Sequence, residues 1–445
     1  MRGERALLIL IVCAFVASVS FSIAQRIPFE NDESVYATQA RAWAAGGPIT
    51  GVGLQRAPLL PAIGTILYKA GARAEWPFRL VGLLSGVAAV LLTWGLARAV
   101  AGPTAGLTAA ALFASVPNVQ QRSAQFMTDV PATALMLAFA LIVWRNRERA
   151  GPSLLVAAPI AAAAVYLRYA SILPIVVVAA VALGLWHRGL LRDRRLAAGT
   201  LGLFGALLIP HIVRAIDATG RPWGLVTFTA GYAGRRYFGQ GLVQYLAWWP
   251  YTLAGPIAAI GMTAGIFAAA RRRSQAAIFL VVCALLDIVL IGLTDHGEPR
   301  FVFFPVALLC IGGAIAISEA VGARRVAAVI VAGAVVAAGI TTALHTSSAR
   351  THRIAPVLAG RIVRAHAHLP CTVHSVEIVE TTWYSGCSTT YFGAGPADFA
   401  VFFSTGGVRL AIQPASPPPG AVPIGVVRDN GRRLATVYVL ARPVQ

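Results

Sequence analysis

Three carboxylates crowd into four residues of the segment Phe29-Glu30-Asn31-Asp32-Glu33-Ser34-Val35-Tyr36. A carboxylate at a low-dielectric boundary can hold a raised pKa and take a proton from a hydroxyl, which is general-base chemistry. The same residues also suit the start of a helix. Asp32 or Glu33 can cap and charge-complement Ser34–Ala45, whose apolar positions are Tyr36, Ala40 and Trp43. A second acid stands in Gln125-Phe126-Met127-Thr128-Asp129-Val130-Pro131, where Asp129 is either a partner for acid/base or metal work or a helix start before a proline. Arginines complete the set: Arg56 before Ala57-Pro58-Leu59, Arg168, the pair Arg235-Arg236, and Arg300 in Glu298-Pro299-Arg300-Phe301. The planar donors of arginine suit a phosphate, and several together can neutralise one. Each alone also reads as a surface arginine reaching towards lipid headgroups.

These residues are set in a very apolar chain. Of 445 residues, 57% are hydrophobic and only 12% are charged, where soluble domains carry about 25%. The mean hydropathy is +0.71. This excludes an ordinary soluble enzyme and a disordered chain. Apolar runs long enough to cross a hydrocarbon core of about 30 Å recur near 6–24, 79–99, 104–118, 128–144, 153–167, 169–186, 196–213, 246–270, 275–294, 301–319 and 326–345. The expectation is an all-α polytopic bundle of about eleven transmembrane helices. The 37 basic residues against 17 acidic ones give +20, and Lys69 is the single lysine. Scattered between hydrophobic spans, this charge does not suit nucleic acid. It suits membrane lipids or an anionic substrate.

With the N-terminus placed in the cytoplasm, the dense clusters at 145–149, 188–195, 271–273 and 324–325 all fall on that side, as the positive-inside rule requires. The outer side receives the first loop 25–78, the loop 214–245 and the tail 346–445. The first span also has signal-peptide features, ending in Ser22-Ile23-Ala24. The chain is therefore expected to divide into a transmembrane module, 1–345, and a small extracytoplasmic α/β domain, 346–445. The tail carries strand-like runs at 371–375, 388–392, 398–404, 422–428 and 434–440, with a helix before the first of them. Val376–Ser385 is a candidate for another helix, and Asn430-Gly431 is a turn signal. Cys371 and Cys387 both lie there and are a disulfide candidate in an oxidising compartment.

In order and sidedness these elements resemble the GT-C membrane glycosyltransferases that use polyprenyl-phosphate sugars, especially the protein O-mannosyltransferase and lipid A aminoarabinose transferase branches. The matching residues are Asp32-Glu33 followed by Tyr36-Ala37 and Arg41, then Arg56-Ala57-Pro58-Leu59, Asp129-Val130-Pro131, Arg168 to Pro174, and Arg300-Phe301 to Pro305. The resemblance covers roughly 25–345. It departs at Ala57, where the family has a second proline. It implies that Asp32 deprotonates an acceptor hydroxyl, that attack on the anomeric carbon inverts it, and that Glu33 and Asp129 position acceptor or sugar. Arg56, Arg168 and Arg300 would neutralise the leaving phosphate, with Tyr36, Arg235 and Arg236 among the binding residues. The implied partners are a polyprenyl-phosphate sugar donor, a glycan, lipid or protein acceptor, and membrane lipids. The implied place is a bacterial plasma membrane, with the site facing outward.

No cofactor is required. A divalent metal on carboxylates has room in this scheme, but His366, His368 and His374 lack standard metal-ligand spacing. Asp287 inside the ninth span is an intramembrane acid, read here as one half of a buried polar pair. There is no Walker-type loop, dinucleotide motif or nucleophile elbow. The rival reading is a transporter or flippase for a charged lipid or saccharide. A third is an assembly protein whose Asp32 is dispensable.

Overall fold

The computed structural model describes residues 2–47, 56–227, 237–272, 274–320, 354–404, 413–429 and 431–440. The chain forms two compact units. One comprises Met1–Ala24, Ile49–Ala62 and Trp76–Ala343; the other comprises Gln25–Pro48, Ile63–Glu75 and Leu344–Gln445. Segments of the stretch 25–78 thus fold with the tail, a grouping over long sequence separation that local patterning does not display.

The first unit is a helical bundle. Among the described residues the main helices, in chain order, are α1 (Arg2–Ala24), α2 (Asn31–Ala44), α3 (Leu59–Lys69), α4 (Glu75–Ala101), α5 (Pro103–Ala114), α6 (Pro117–Ser123), α7 (Asp129–Arg145), α8 (Ser153–Leu167), α9 (Ile172–Leu190), α10 (Arg194–Thr219), α11 (Gln240–Trp248), α12 (Tyr251–Arg272), α13 (Gln275–Thr294), α14 (Phe303–Ala320), α15 (354–366) and α16 (Ile378–Ser385). Among the described residues, seven helical stretches are long and apolar enough to cross a membrane. They match expected spans. The runs at 104–118, 128–144 and 153–167 form helices too, but α5, α7 and α8 are shorter. Pro117 begins a new helix after α5, and Arg168 takes an extended conformation that ends α8. The span expected at 326–345 lies outside the described residues.

Burial sorts the helices by environment. The stretch Pro299–Ser318 is 72% buried and packs against α5, α7, α12 and α13. By contrast, Arg194–Thr219 is only 6% buried, exposing Leu201, Ile209 and Val213. A helix apolar all round with its side chains unpacked is what lipid solvates. The bundle is that of a multi-pass membrane protein.

The contact between α12 and α14 depends on glycine. A Cβ at Gly313 would stand 2.1 Å from the Gly261 carbonyl oxygen, and one at Gly265 would stand 2.5 Å from the Gly313 nitrogen. Small residues let two helix backbones approach where no hydrophobic effect drives them together.

The second unit carries a five-stranded sheet: β1 (Thr372–His374), β2 (Ser388–Thr390), β3 (Phe399–Phe403), β4 (Val422–Asp429) and β5 (Arg432–Val439), in the order β2-β1-β3-β5-β4. β1 is parallel to β2 and β3, while β5 is antiparallel to β3 and β4. The parallel β1–β2 pair needs a crossover, which α16 supplies. Val363 of α15 joins Val373, Phe399, Val401, Phe403 and Val437 in one apolar cluster. Cys371 and Cys387 form a disulfide with Cα atoms 4.9 Å apart. It ties the start of β1 to the entry of β2. Gly431 closes the β4–β5 turn with φ +78°, and Asn430 lies outside the described residues.

Gly313→Ala forces a methyl group into a backbone-lined gap. It is expected to cost about 1–3 kcal/mol of stability, read as a lower unfolding midpoint in detergent. An unchanged midpoint would mean that α12 and α14 do not depend on this approach.

Candidate functional site

In the first unit, chemistry gathers where helices break. Asp129 opens α7 and is 3% exposed. Its Oδ1 lies 3.1 Å from Nη1 of Arg168, while its Oδ2 has no hydrogen-bond partner among the described residues. Arg168 sits between α8 and a short 3-10 turn at Tyr169–Ser171, with φ −153° and ψ 116°. The break leaves the Arg168 guanidinium beside Asp129. Its Cζ lies 4.2 Å from the Phe301 ring centroid, and the Arg300 Cζ lies 5.4 Å from the same ring. Arg56 joins through its neighbour: the Tyr169 hydroxyl donates to the Arg56 carbonyl at 3.4 Å. Four predicted residues, Arg56, Asp129, Arg168 and Arg300, are thus linked within one unit.

The loop 295–298 fixes Arg300. Arg300 Nε pairs with Glu298 Oε2. His296 bridges two acids, with Nδ1 2.8 Å from Asp295 Oδ1 and Nε2 2.8 Å from Glu298 Oε1. Tyr245 of α11 donates its hydroxyl to the Glu298 carbonyl at 3.2 Å, and burial pushes that phenol's pKa up, so it stays a donor. The hydrogen bonds to Asp295 and then Glu298 raise His296 to about 9, against the fall that burial alone would cause. Burial alone would raise Glu298. The hydrogen bond from His296 and the charge of Arg300 outweigh it and hold Glu298 at about 2.

An apolar cavity of about 340 Å³ adjoins this chemistry along the chain. It is lined by Pro58, Leu59 and Ala62, which follow Arg56, and by Pro159, Ala162 and Tyr166, from the helix that ends at Arg168.

In the second unit the acidic cluster has a different arrangement from the one expected. The N-cap of α2 is Glu30, not Asp32 or Glu33. Glu30 and Glu33 form a reciprocal capping box, in which the Glu30 N–H donates to Glu33 Oε2 at 2.9 Å. Glu33 is fully buried and the neighbouring Asp32 half-buried. Tyr36 is 4% exposed, on the buried face with Ala40. The entry to α2 is held by α16. The Phe29 N–H donates to the Tyr384 hydroxyl at 2.8 Å, that hydroxyl donates to Glu75 Oε1 at 3.1 Å, and Asn31 Nδ2 donates to Glu380 Oε2 at 3.4 Å. At the other end of α2, Arg41 donates to the carbonyls of Thr382 and Trp383, at 2.7 and 3.0 Å.

Arg235 and Arg236 lie outside the described residues. Asp287 is fully buried in α13 and neither of its oxygens has a hydrogen-bond partner among the described residues, so the expected polar pair is not formed there. Among the described residues, no three His, Cys, Asp or Glu side chains assemble as a metal-ligand set. Sequence reasoning missed His296, Asp295, Tyr245, Tyr169, Glu380 and Tyr384. The signal for the first two was present, since Asp295-His296-Gly297-Glu298 is as dense in titratable groups as the segment at 30–33.

Because His296 is raised from about 6.5 in the unfolded chain to about 9, its contribution is complete below pH 6.5 and is lost as pH climbs through 9. His296→Gln should therefore lower the unfolding free energy by about 1–3 kcal/mol at pH 6, with the gap to wild type closing towards pH 10. A gap independent of pH would contradict a charged bridge.

Residues 55–213 match the family model of dolichyl-phosphate-mannose-protein mannosyltransferases. Sequence comparison with curated proteins gives no match. Among solved structures, ArnT from Cupriavidus metallidurans bound to undecaprenyl phosphate is similar over 96% of this chain and 97% of its own, with a TM-score of 0.75 and 14% identity. The Archaeoglobus fulgidus oligosaccharyltransferase in complex with Zn and sulfate is similar over 86% of this chain and 62% of its own, with a TM-score of 0.63 and 16% identity. The same enzyme tethered to an acceptor peptide containing the NVT sequon aligns with a TM-score of 0.60 and 14% identity, over 87% of this chain and 63% of its own. The chain thus shares the GT-C fold of ArnT, and its segment 55–213 matches the family model of dolichyl-phosphate-mannose-protein mannosyltransferases.

Proposed function

We propose that this protein is an integral membrane glycosyltransferase that moves a sugar from a polyprenyl-phosphate carrier to a hydroxyl acceptor on the extracytoplasmic face of a bacterial plasma membrane. The observation that carries the reading is the anchored guanidinium of Arg168, held by Asp129 and sharing the Phe301 ring with Arg300. Fixed cations in a water-poor setting stabilise charge developing on a leaving phosphate. The apolar cavity lined by Pro58, Leu59, Pro159 and Tyr166 suits an isoprenoid tail. The fold shared with ArnT, whose structure contains undecaprenyl phosphate, supports the same donor class.

In this reading Asp32 is the general base. The acceptor hydroxyl gives its proton to the Asp32 carboxylate, and its oxygen bonds to the anomeric carbon. The bond from that carbon to the phosphate oxygen breaks, its electron pair leaves with polyprenyl phosphate, and the centre is inverted. Arg56, Arg168 and Arg300 meet the phosphate. Glu33, committed to the capping box, sets the position of Asp32. Asp129 orients Arg168, and Tyr36 packs the helix that carries the base.

The test uses purified protein in nanodiscs with polyprenyl-phosphate sugars and candidate acceptors, following polyprenyl phosphate release by mass spectrometry. Asp32→Asn should lower turnover by about 10²–10⁴-fold while donor binding persists. Equal turnover in both proteins would remove Asp32 from the chemistry. Asp129→Asn should weaken donor binding as well as turnover, because it frees the Arg168 side chain. Unaltered donor binding would separate Asp129 from Arg168 function.

A further inference from the structure

The second unit holds a cavity of about 530 Å³ lined by four arginines, Arg41, Arg73, Arg361 and Arg364, with Glu75 as its one carboxylate. That volume falls in the range of small-molecule sites, about 300–1,000 Å³. None of the four guanidinium groups is in an ion pair among the described residues. What holds three of them is neutral. Arg41 donates to two backbone carbonyls of α16, and the Arg73 Cζ stands 3.8 Å from the Tyr68 ring centroid with Nη1 donating to the Ala72 carbonyl at 3.0 Å. The Arg361 Cζ lies 5.8 Å from the Tyr384 ring centroid. Glu75 is itself engaged by the Tyr384 hydroxyl. Arg361 and Arg364 are exposed and three residues apart, so they share one face of α15. Burial, and the nearby charge of Arg364, lower the pKa of Arg41.

Carbonyls and rings orient a guanidinium without cancelling its charge. Four like charges around one cavity repel one another, and a single carboxylate cannot balance them. A carboxylate ligand would bring one charge. A phosphate monoester or diphosphate brings about two and at least three acceptor oxygens, and arginine forks match that geometry. We propose that this cavity is a binding site for a phosphate-bearing ligand, distinct in its residues from the site assigned to the leaving phosphate. Resting on the proposed function, the ligand is the acceptor, and its phosphate orients the hydroxyl to be glycosylated.

The test is direct binding, independent of turnover. Full-length protein in zwitterionic nanodiscs is titrated with inorganic phosphate, pyrophosphate and a hexose 1-phosphate at constant ionic strength, reading the unfolding midpoint. A parallel arm measures binding of anionic against zwitterionic lipid vesicles. The comparison is with Arg361→Gln/Arg364→Gln, two exposed positions whose replacement leaves the core intact. Wild type should show a saturable rise in midpoint, and the double variant should need at least 10-fold more ligand. Tighter binding of the hexose phosphate than of inorganic phosphate supports a glycan source. Binding only to anionic vesicles, again dependent on the two arginines, supports a lipid headgroup. No saturable effect in either arm, or equal effects in wild type and variant, overturns the site. Repeating the titration in Asp32→Asn keeps the two proposals separable. Phosphate binding without any transferase activity in wild type refutes the proposed function and leaves the cavity assigned.

Discussion

Arg168 is a permanent cation set in a bundle of apolar helices, and it can stay there only if its surroundings hold it. An isolated charge removed from water is very costly, whereas one paired and bonded is tolerable. Asp129 supplies the pair and Phe301 lends its ring face. That requirement explains several features at once. α7 must begin at Asp129, α8 must stop at Leu167, and the chain must extend at Arg168 before α9 resumes. The loop 295–298 must be rigid enough to hold Phe301 and Arg300, and the His296 bridge with Tyr245 makes it so. The shortness of α8 is therefore tied to a charge that has to be presented at the helix break.

The acidic segment of the second unit follows a comparable logic. Asp32, the proposed base, stands at the first turn of α2, and such a base is useful only if its backbone is fixed. The Glu30–Glu33 box fixes the turn locally, and Tyr384 and Glu380 of α16 fix it from the sheet side. α16 is itself the crossover between two parallel strands whose ends are joined by the Cys371–Cys387 bridge. The small α/β fold thus serves as a mount for the acidic helix, and the same α16 carbonyls place Arg41 at the arginine-lined cavity.

The bundle and the strands were readable in the sequence because each depends on a local period. Apolar runs near 20 residues give the spans, and runs rich in Val, Phe and Tyr give all five strands within a few residues. The acids and arginines were readable as a set because charge in such a chain is rare. Their pairing was not. Glu30, Asp32 and Glu33 are chemically alike and nearly adjacent, so spacing alone could not tell which caps the helix. Asp129 and Arg168 were each assigned to substrate, and only the fold brings them within 3.1 Å of each other. Likewise, nothing in the loop 25–78 announces that its helix packs with residues three hundred positions later. The density of titratable groups at 295–298 is visible in the sequence, but with Asp295 and Glu298 as immediate neighbours of His296 it does not distinguish a bridge from an ordinary polar loop.

The most direct measurement is the affinity of purified protein in nanodiscs for polyprenyl phosphate, compared between wild type and Arg168→Gln. Loss of charge-assisted bonds to a phosphate costs about 1.5–3 kcal/mol, so the variant should bind at least about 10-fold more weakly. Its affinity for an uncharged polyprenol should equal that of wild type. Equal phosphate affinity in the two proteins would contradict the account, because Arg168 would then be a structural partner of Asp129 and nothing more.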